Sequence, residues 1–236
     1  MSGHSKWANI KGRKEAQDKK RAQVFTKLTR AIVAAAREGS PDPETNAKLR
    51  LAIDRARSFN VPKDNIERAI RREGSEIVES FAIDAIGPGG INVLIEGATS
   101  SRNRTISDLR HLLQVNGGKI AEGGGAHWAF ERKGLLTIER GADEKDSDEL
   151  TLAAIESGAE DVRESDEALE VIVPPESLDR VKQALEGNGV PVADATLGWV
   201  PRQTVALAQD QRAEAEKLFT ALDDHEDVQA IWSNEI

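Results

Sequence analysis

The chain has 236 residues, 39% of them hydrophobic, no cysteine, and a formal net charge of −9. That length predicts two or three domains with real cores. The composition excludes disulfides, thiolate metal sites and cysteine nucleophiles, and no run approaches the ~18 apolar residues of a membrane span. The charge is polarised: residues 1–72 hold 18 Lys and Arg against 8 Asp and Glu, a net of +10, and the rest hold 14 against 33, a net of −19. A polyanion would meet the head and be repelled by the body, so nucleic acid is the expected partner.

The opening "MSGHSKWANIKGRK" has no period and reads as an arm. It carries no apolar core of a signal peptide, so no membrane partner and a cytoplasmic location are expected. From Ala16 to Arg37, Phe25, Leu28, Ile32 and Ala35 recur at helical spacing. Lys19, Arg30 and Arg37 cluster on the opposite face, flanked by Lys20 and Lys27, while Arg21 falls on the apolar side. "GSPDPE" (39–44) stops this helix. A second helix runs to Ser58 with Leu49, Ala52, Ile53 and Ala56 on one side, and Ile66, Ala69 and Ile70 stripe a third after "NVPKDN". Three short amphipathic helices can bury their stripes only against each other or a neighbour, which predicts a basic helical domain over 1–76.

The remainder alternates strands and helices. "LLTIE", "DSDELTLAAIES", "AEDVR", "LEVIV", "PESLDRVKQALEGNG" and "VPVADATLGWV" read as βαββαβ, the ferredoxin-like unit, over 133–201. Before it come the strands "FAIDAIG" and "INVLIEG", the helix "NRTISDLRHLLQVNG" and the strand "HWAFE". After it come "QTVALAQ" as a strand, the helix "DQRAEAEKLFTALDD" and the strand "DVQAIW". Joined across the insertion, 77–132 and 202–236 make a middle domain. The expected fold class is α+β: a three-helix N-terminal domain followed by two α/β, ferredoxin-like domains, one inserted in the other.

Catalytic and cofactor signatures are missing. His4, His111, His127 and His225 show no zinc-ligand spacing, so no metal is expected. "GPGG" (87–90) and "NGGKIAEGGG" (116–125) fit neither phosphate-loop pattern, since Ile120 stands where a Ser or Thr would bind magnesium, and they read as tight turns. "DEKDSDE" (143–149) lacks the glycine and terminal glutamate of a calcium loop. No enzyme activity and no cofactor are expected.

The nucleic-acid chemistry lies in the head. Lys6, Lys11, Arg13, Lys14, Lys19, Lys20 and Arg21 supply cations for phosphates, continued along the helix by Lys27 and Arg30, with His4 beside them. Each neutralised phosphate releases counterions, so binding would weaken steeply with salt. Trp7 offers a face for an unstacked base, and Asn9 an amide for a base edge. The alternative is that Trp7 folds back as a plug on the helices. In "SSRNRT" (100–105), Arg102, Asn103 and Arg104 stand at a predicted helix start and make a candidate phosphate site; the alternative is pairing of the arginines with acidic neighbours. Trp128 and Trp232, in predicted strands, and Trp199 at the end of the insertion read as core or partly buried.

Taken together, "GHSKWANIKGRKEAQDKKRAQVFTKL", "GPGGINVLIE", "RNRT", "AFERKG", "GAEDV", "VP" before "TVAL", and "DDHEDVQAIWSN" resemble the YebC/PmpR family, bacterial proteins labelled as transcriptional regulators. The mitochondrial translational activator of cytochrome oxidase is similar to them. The resemblance covers essentially the whole chain. It implies a helical domain plus two α/β domains, one inserted in the other, in a cytosolic protein without cofactor. It puts His4, Lys6, Trp7, Asn9, Lys11, Arg13 and Lys14 in the family's opening signature. Gly12 departs from the histidine common there, and "DAIGPGG" departs from an aromatic-containing "GYGPGG". Three readings stay open at this point: a DNA-binding transcriptional regulator, an RNA- or ribosome-associated translation factor, and a protein-interaction scaffold. No recognition helix, leucine zipper or dimer face is evident, so the oligomeric state is left unassigned.

Overall fold

The computed structural model describes residues 17–71, 77–121, 126–139, 147–165 and 168–236; for 17–21 and 147 only the backbone is described. The fold is α+β. Its described residues hold α1 (Gln17–Glu38), α2 (Ala47–Ser58), α3 (Lys63–Arg71), β1 (Glu79–Ile86), β2 (Asn92–Thr99), α4 (Arg102–Val115), β3 (Lys119–Ile120) and β4 (Phe130–Glu139). Then follow α5 (Ser147–Ser157), β5 (Asp161–Glu164), β6 (Ala168–Val173), α6 (Leu178–Gly187), β7 (Asp194–Pro201), α7 (Gln209–Asp223) and β8 (Val228–Ser233). Residues Glu131–Val200 form one compact unit, and 17–130 with 201–236 form the other.

In the larger unit, α1 is stopped as its sequence dictates. Asn46 caps α2 by accepting from Leu49 N–H at 3.0 Å, while its amide donates to the carbonyls of Ala35 (2.9 Å) and Ser40 (2.7 Å). One side chain thus closes the end of α1 and opens α2. Leu28, Ile32, Ala35, Leu49, Ile53, Ile66 and Ala69 meet in one core, as their periodicity predicts. Val33, Ala34 and Ala36 are buried too. A single apolar stripe does not bury five successive residues. They are covered because α1 packs on α2 and α3 and also on β1, β2 and β8. Small alanines let the helix approach closely on more than one side, and Val78 and Ala98, at the end of the β1–β2 hairpin away from its turn, share this core. The helices and the sheet are therefore one packed body.

That sheet runs β3-β1-β2-β8 with antiparallel neighbours. Phe81, Ile83, Ala85, Val93 and Ile95 share one face by strand alternation and pack against α4 and α7. The "GPGG" motif is the hairpin turn, with Gly89 and Gly90 both at positive φ, where only glycine is unstrained. A bulge opens between β2 and β8 at Glu96/Gly97. There a Cβ on Gly97 would lie 2.0 Å from the carbonyl oxygen of Asp227, so that position requires glycine.

The smaller unit has sheet order β5-β6-β4-β7. Reached by βαββαβ connection, this is the ferredoxin-like arrangement the sequence predicts. The larger unit's sheet is connected differently, as ββαβ followed after the insertion by αβ. Trp199 is partly buried on β7, with the Arg132 guanidinium 4.9 Å from its ring centre.

Three expectations are corrected. "HWAFE" and "LLTIE" are not separate strands: β4 is continuous from Phe130, and "HWA" is a short 3₁₀ turn. The sheet's edge position beside β1 falls instead to Lys119–Ile120, inside the stretch read as glycine turns. "QTVALAQ" forms no strand; only Val205 bridges, to Glu235. Local pattern cannot distinguish a strand from a segment clamped by a chain end arriving from far away in sequence.

Candidate nucleic-acid interface

His4, Lys6, Trp7, Asn9, Lys11, Arg13 and Lys14 lie outside the described residues. Lys19, Lys20 and Arg21 belong to the first turns of α1, with their side chains outside what is described. Further along α1 the structure departs from the expectation of a cationic contact face.

Lys27 is only 6% exposed. Its ammonium donates to the carbonyl of Asp223, the last residue of α7, and stands 3.7 Å from the Asp223 carboxylate. A cation at a helix C-terminus neutralises the negative end of the dipole. Burial pulls the Lys27 pKa below its ordinary value, against the opposing attraction of Asp223 and Asp224. Arg30, one turn on, reaches Asp227 at 2.5 Å and Glu226 at 3.6 Å. Both cations are directed inward because the helix face that carries them packs against the α7–β8 connection. They hold α1 to the sheet.

Asp227 is fully buried and is the anion at the centre of this seam. Besides Arg30, its carboxylate receives the hydroxyls of Thr105 (2.6 Å) and Thr99 (3.1 Å), and the Arg104 guanidinium stands 3.5 Å away. Its carbonyl accepts Ala98 N–H at 2.9 Å, and its own N–H donates to His225 Nδ1 at 3.2 Å. Glu226 accepts from Arg104 at 3.5 Å as well as pairing with Arg30. Thus "RNRT" and "HED" are two halves of one charge network, centred on a buried carboxylate, that joins α1, β2, α4 and the α7–β8 connection. A buried carboxylate is tolerable only when paired and hydrogen-bonded on each side, as here. Of the candidate phosphate site, Arg104 pairs with Asp227 and Glu226 while half exposed, and Arg102 and Asn103 are exposed at the start of α4. Nothing in "DDHEDVQ" marks Asp227, one of three aspartates there, as the buried one, so this network was not legible.

Trp128 is the second departure. It is 70% exposed in the turn His127–Ala129, whereas Trp232 is 3% exposed on β8 and donates from Nε1 to Glu96 at 3.0 Å. The turn is fixed from below. Asp84 on β1 accepts from Ala126 N–H at 3.4 Å and stands 3.5 Å from His127 Nδ1, and Arg202 N–H donates to the Ala129 carbonyl at 2.8 Å. The strand reading of "HWAFE" concealed this exposed ring on a braced turn.

Among the described residues no group of three or more His, Asp or Glu converges as a metal site, and no helix is long and apolar enough to cross a membrane.

Comparison with known proteins agrees along the whole length. Residues 5–76 match the TACO1/YebC protein N-terminal domain, and 78–235 match the TACO1/YebC second and third domain. A "Probable transcriptional regulatory protein" of Kosmotoga olearia is 43% identical over 99% of this chain and 94% of its own length. Namesakes from Dehalococcoides mccartyi and Thermotoga maritima are each 44% identical, over 99% of this chain and 94% and 93% of theirs. The crystal structure of a conserved hypothetical protein from Aquifex aeolicus superposes with a TM-score of 0.87 at 38% identity, covering 94% of this chain and 93% of that one. With both domain families matched in order and the fold shared, the chain belongs to the TACO1/YebC family.

Proposed function

We propose that the chain is a non-enzymatic regulator of gene expression that binds nucleic acid through its basic N-terminal stretch. The observation carrying this reading is the charge polarity: a net of +10 within residues 1–72 on a chain of net −9. Lys27 and Arg30 are engaged inside the fold, so the contact is assigned to His4, Lys6, Trp7, Asn9, Lys11, Arg13 and Lys14, with Lys19, Lys20 and Arg21 extending it along α1. The relatives' names point to transcription, and DNA is the first expected target. A second reading, a translation factor acting on RNA, is favoured by one observation, the open Trp128 ring, because exposed aromatics suit unpaired bases better than duplex.

Replacing Lys11, Arg13, Lys14, Lys19 and Lys20 together with Glu tests the reading. Binding to duplex DNA and to RNA should both be lost, and the far-ultraviolet circular dichroism retained. Wild-type binding by that variant would remove the arm from the interface. Sedimenting lysates of both proteins through sucrose, with and without ribonuclease, separates the targets. Ribonuclease-sensitive travel of the wild type alone with ribosomal particles indicates translation; both proteins staying at the top directs the search to promoter DNA.

A further inference from the structure

The edge of the larger unit's sheet carries cations of a different kind from those of α1. Lys119 and Ile120 form the edge strand β3, opposite Ile86 and Ala85 of β1. Arg110 and Gln114, one turn apart on α4, line one concavity with Lys119 and Ile120. Among the described residues neither the Arg110 guanidinium nor the Lys119 ammonium makes an ion pair or a hydrogen bond. Lys27, Arg30 and Arg104 are paired, whereas these two cations line one concavity.

The Trp128 turn is tied to the same edge. Directly after β3, Ala121 N–H donates to the carbonyl of Asp84 at 2.8 Å. The carboxylate of that same Asp84 holds Ala126 N–H and His127. One β1 residue therefore anchors both the end of the cationic strand and the turn that presents the indole. His127 is 46% exposed, next in sequence to the ring.

We infer that this edge is a second nucleic-acid contact, with Trp128 as the platform for an unstacked base and Arg110 and Lys119 as contacts for the phosphates of the same unpaired strand. The inference rests on the nucleic-acid reading above and adds a surface to it. An aromatic ring and cations along one sheet edge can together hold a single strand with little sequence preference. A protein partner would call for a mainly apolar surface; three of the four side chains lining the concavity, Arg110, Gln114 and Lys119, are polar or charged, and Ile120 is the fourth.

The test uses the full chain and three fluorescein-labelled probes of about 12 nucleotides: oligo(U), oligo(dT) and a DNA duplex. Binding is read by anisotropy across a salt series. Trp128→Ala should weaken both single strands about tenfold and leave the duplex unchanged, and Trp128→Phe should restore most of the loss. Arg110→Gln with Lys119→Gln should lower the single-strand salt slope by about 1.4, the value for two lost phosphate contacts. A larger loss on oligo(U) than on oligo(dT) assigns the strand as RNA; the reverse assigns it as single-stranded DNA. If these variants bind every probe as wild type does while the five-Glu arm variant binds none, the edge is overturned and the arm reading stands. If Trp128→Ala weakens duplex and single strands alike, the stacking role is overturned. If the wild type binds no probe, the arm reading and the edge fall together.

Discussion

Two regions of the larger unit use positive charge in opposite ways. At the seam between α1 and the α7–β8 connection, Lys27, Arg30 and Arg104 converge on Asp223, Glu226 and Asp227, and the centre of the network is sealed from water. At the β3 edge, Arg110 and Lys119 are open, with an exposed indole anchored nearby. The two sets are indistinguishable by residue type. What separates them is whether an acidic loop from elsewhere in the chain arrives opposite. Net charge measures how many cations a segment has, and the tertiary fold decides how many remain available to a phosphate.

The largest expected effect breaks the seam. Asp227→Ala leaves Arg30 and two threonine hydroxyls without their buried acceptor and should cost about 3–5 kcal/mol in urea unfolding. A loss below about 1 kcal/mol would mean that the network contributes no more than surface pairs do. Thr105→Val keeps the shape and removes one hydrogen bond to the carboxylate, with an expected loss of about 2 kcal/mol.

A smaller effect is pH-dependent. Burial tends to raise the Glu38 pKa, but the hydrogen bonds from Lys48 and the Ser80 N–H outweigh it, and the net shift is below the ordinary value of 4.5. A carboxylate lowered on folding stabilises above its unfolded pKa and loses that contribution as pH falls through the folded one. The group is well exposed, so Glu38→Gln should cost about 0.5 kcal/mol at about pH 6, with the gap closing towards about pH 3. A gap that widens in acid would reverse the assigned direction. Smallest of all, Arg110→Gln with Lys119→Gln should change stability by less than about 0.5 kcal/mol, because neither side chain holds the fold. A larger loss would make the β3 edge a second seam.

Much of the architecture was legible because it is local. The helical stripes, the βαββαβ order and the glycine turn of "GPGG" all follow from short-range pattern. The errors share one physical origin. Burial of Lys27, capture of Arg104, and the role of Lys119–Ile120 as a strand all depend on segments far away in sequence: the α7–β8 connection for the first two, and β1 for the third. Trp128 departs for the converse reason: composition after a glycine run is strand-like, yet the segment is a short turn. Family resemblance named "RNRT" and "DDHEDVQAIWSN" as characteristic, but it did not show that they touch.

The most direct measurement is amide hydrogen exchange across the full chain, free and saturated with a single-stranded oligonucleotide of about 20 nucleotides. Exchange should slow in residues 1–21 and in the turn His127–Ala129, while the seam around Asp227 stays unchanged. Protection confined to α2, α3 or the inserted unit, or none anywhere, would contradict the account.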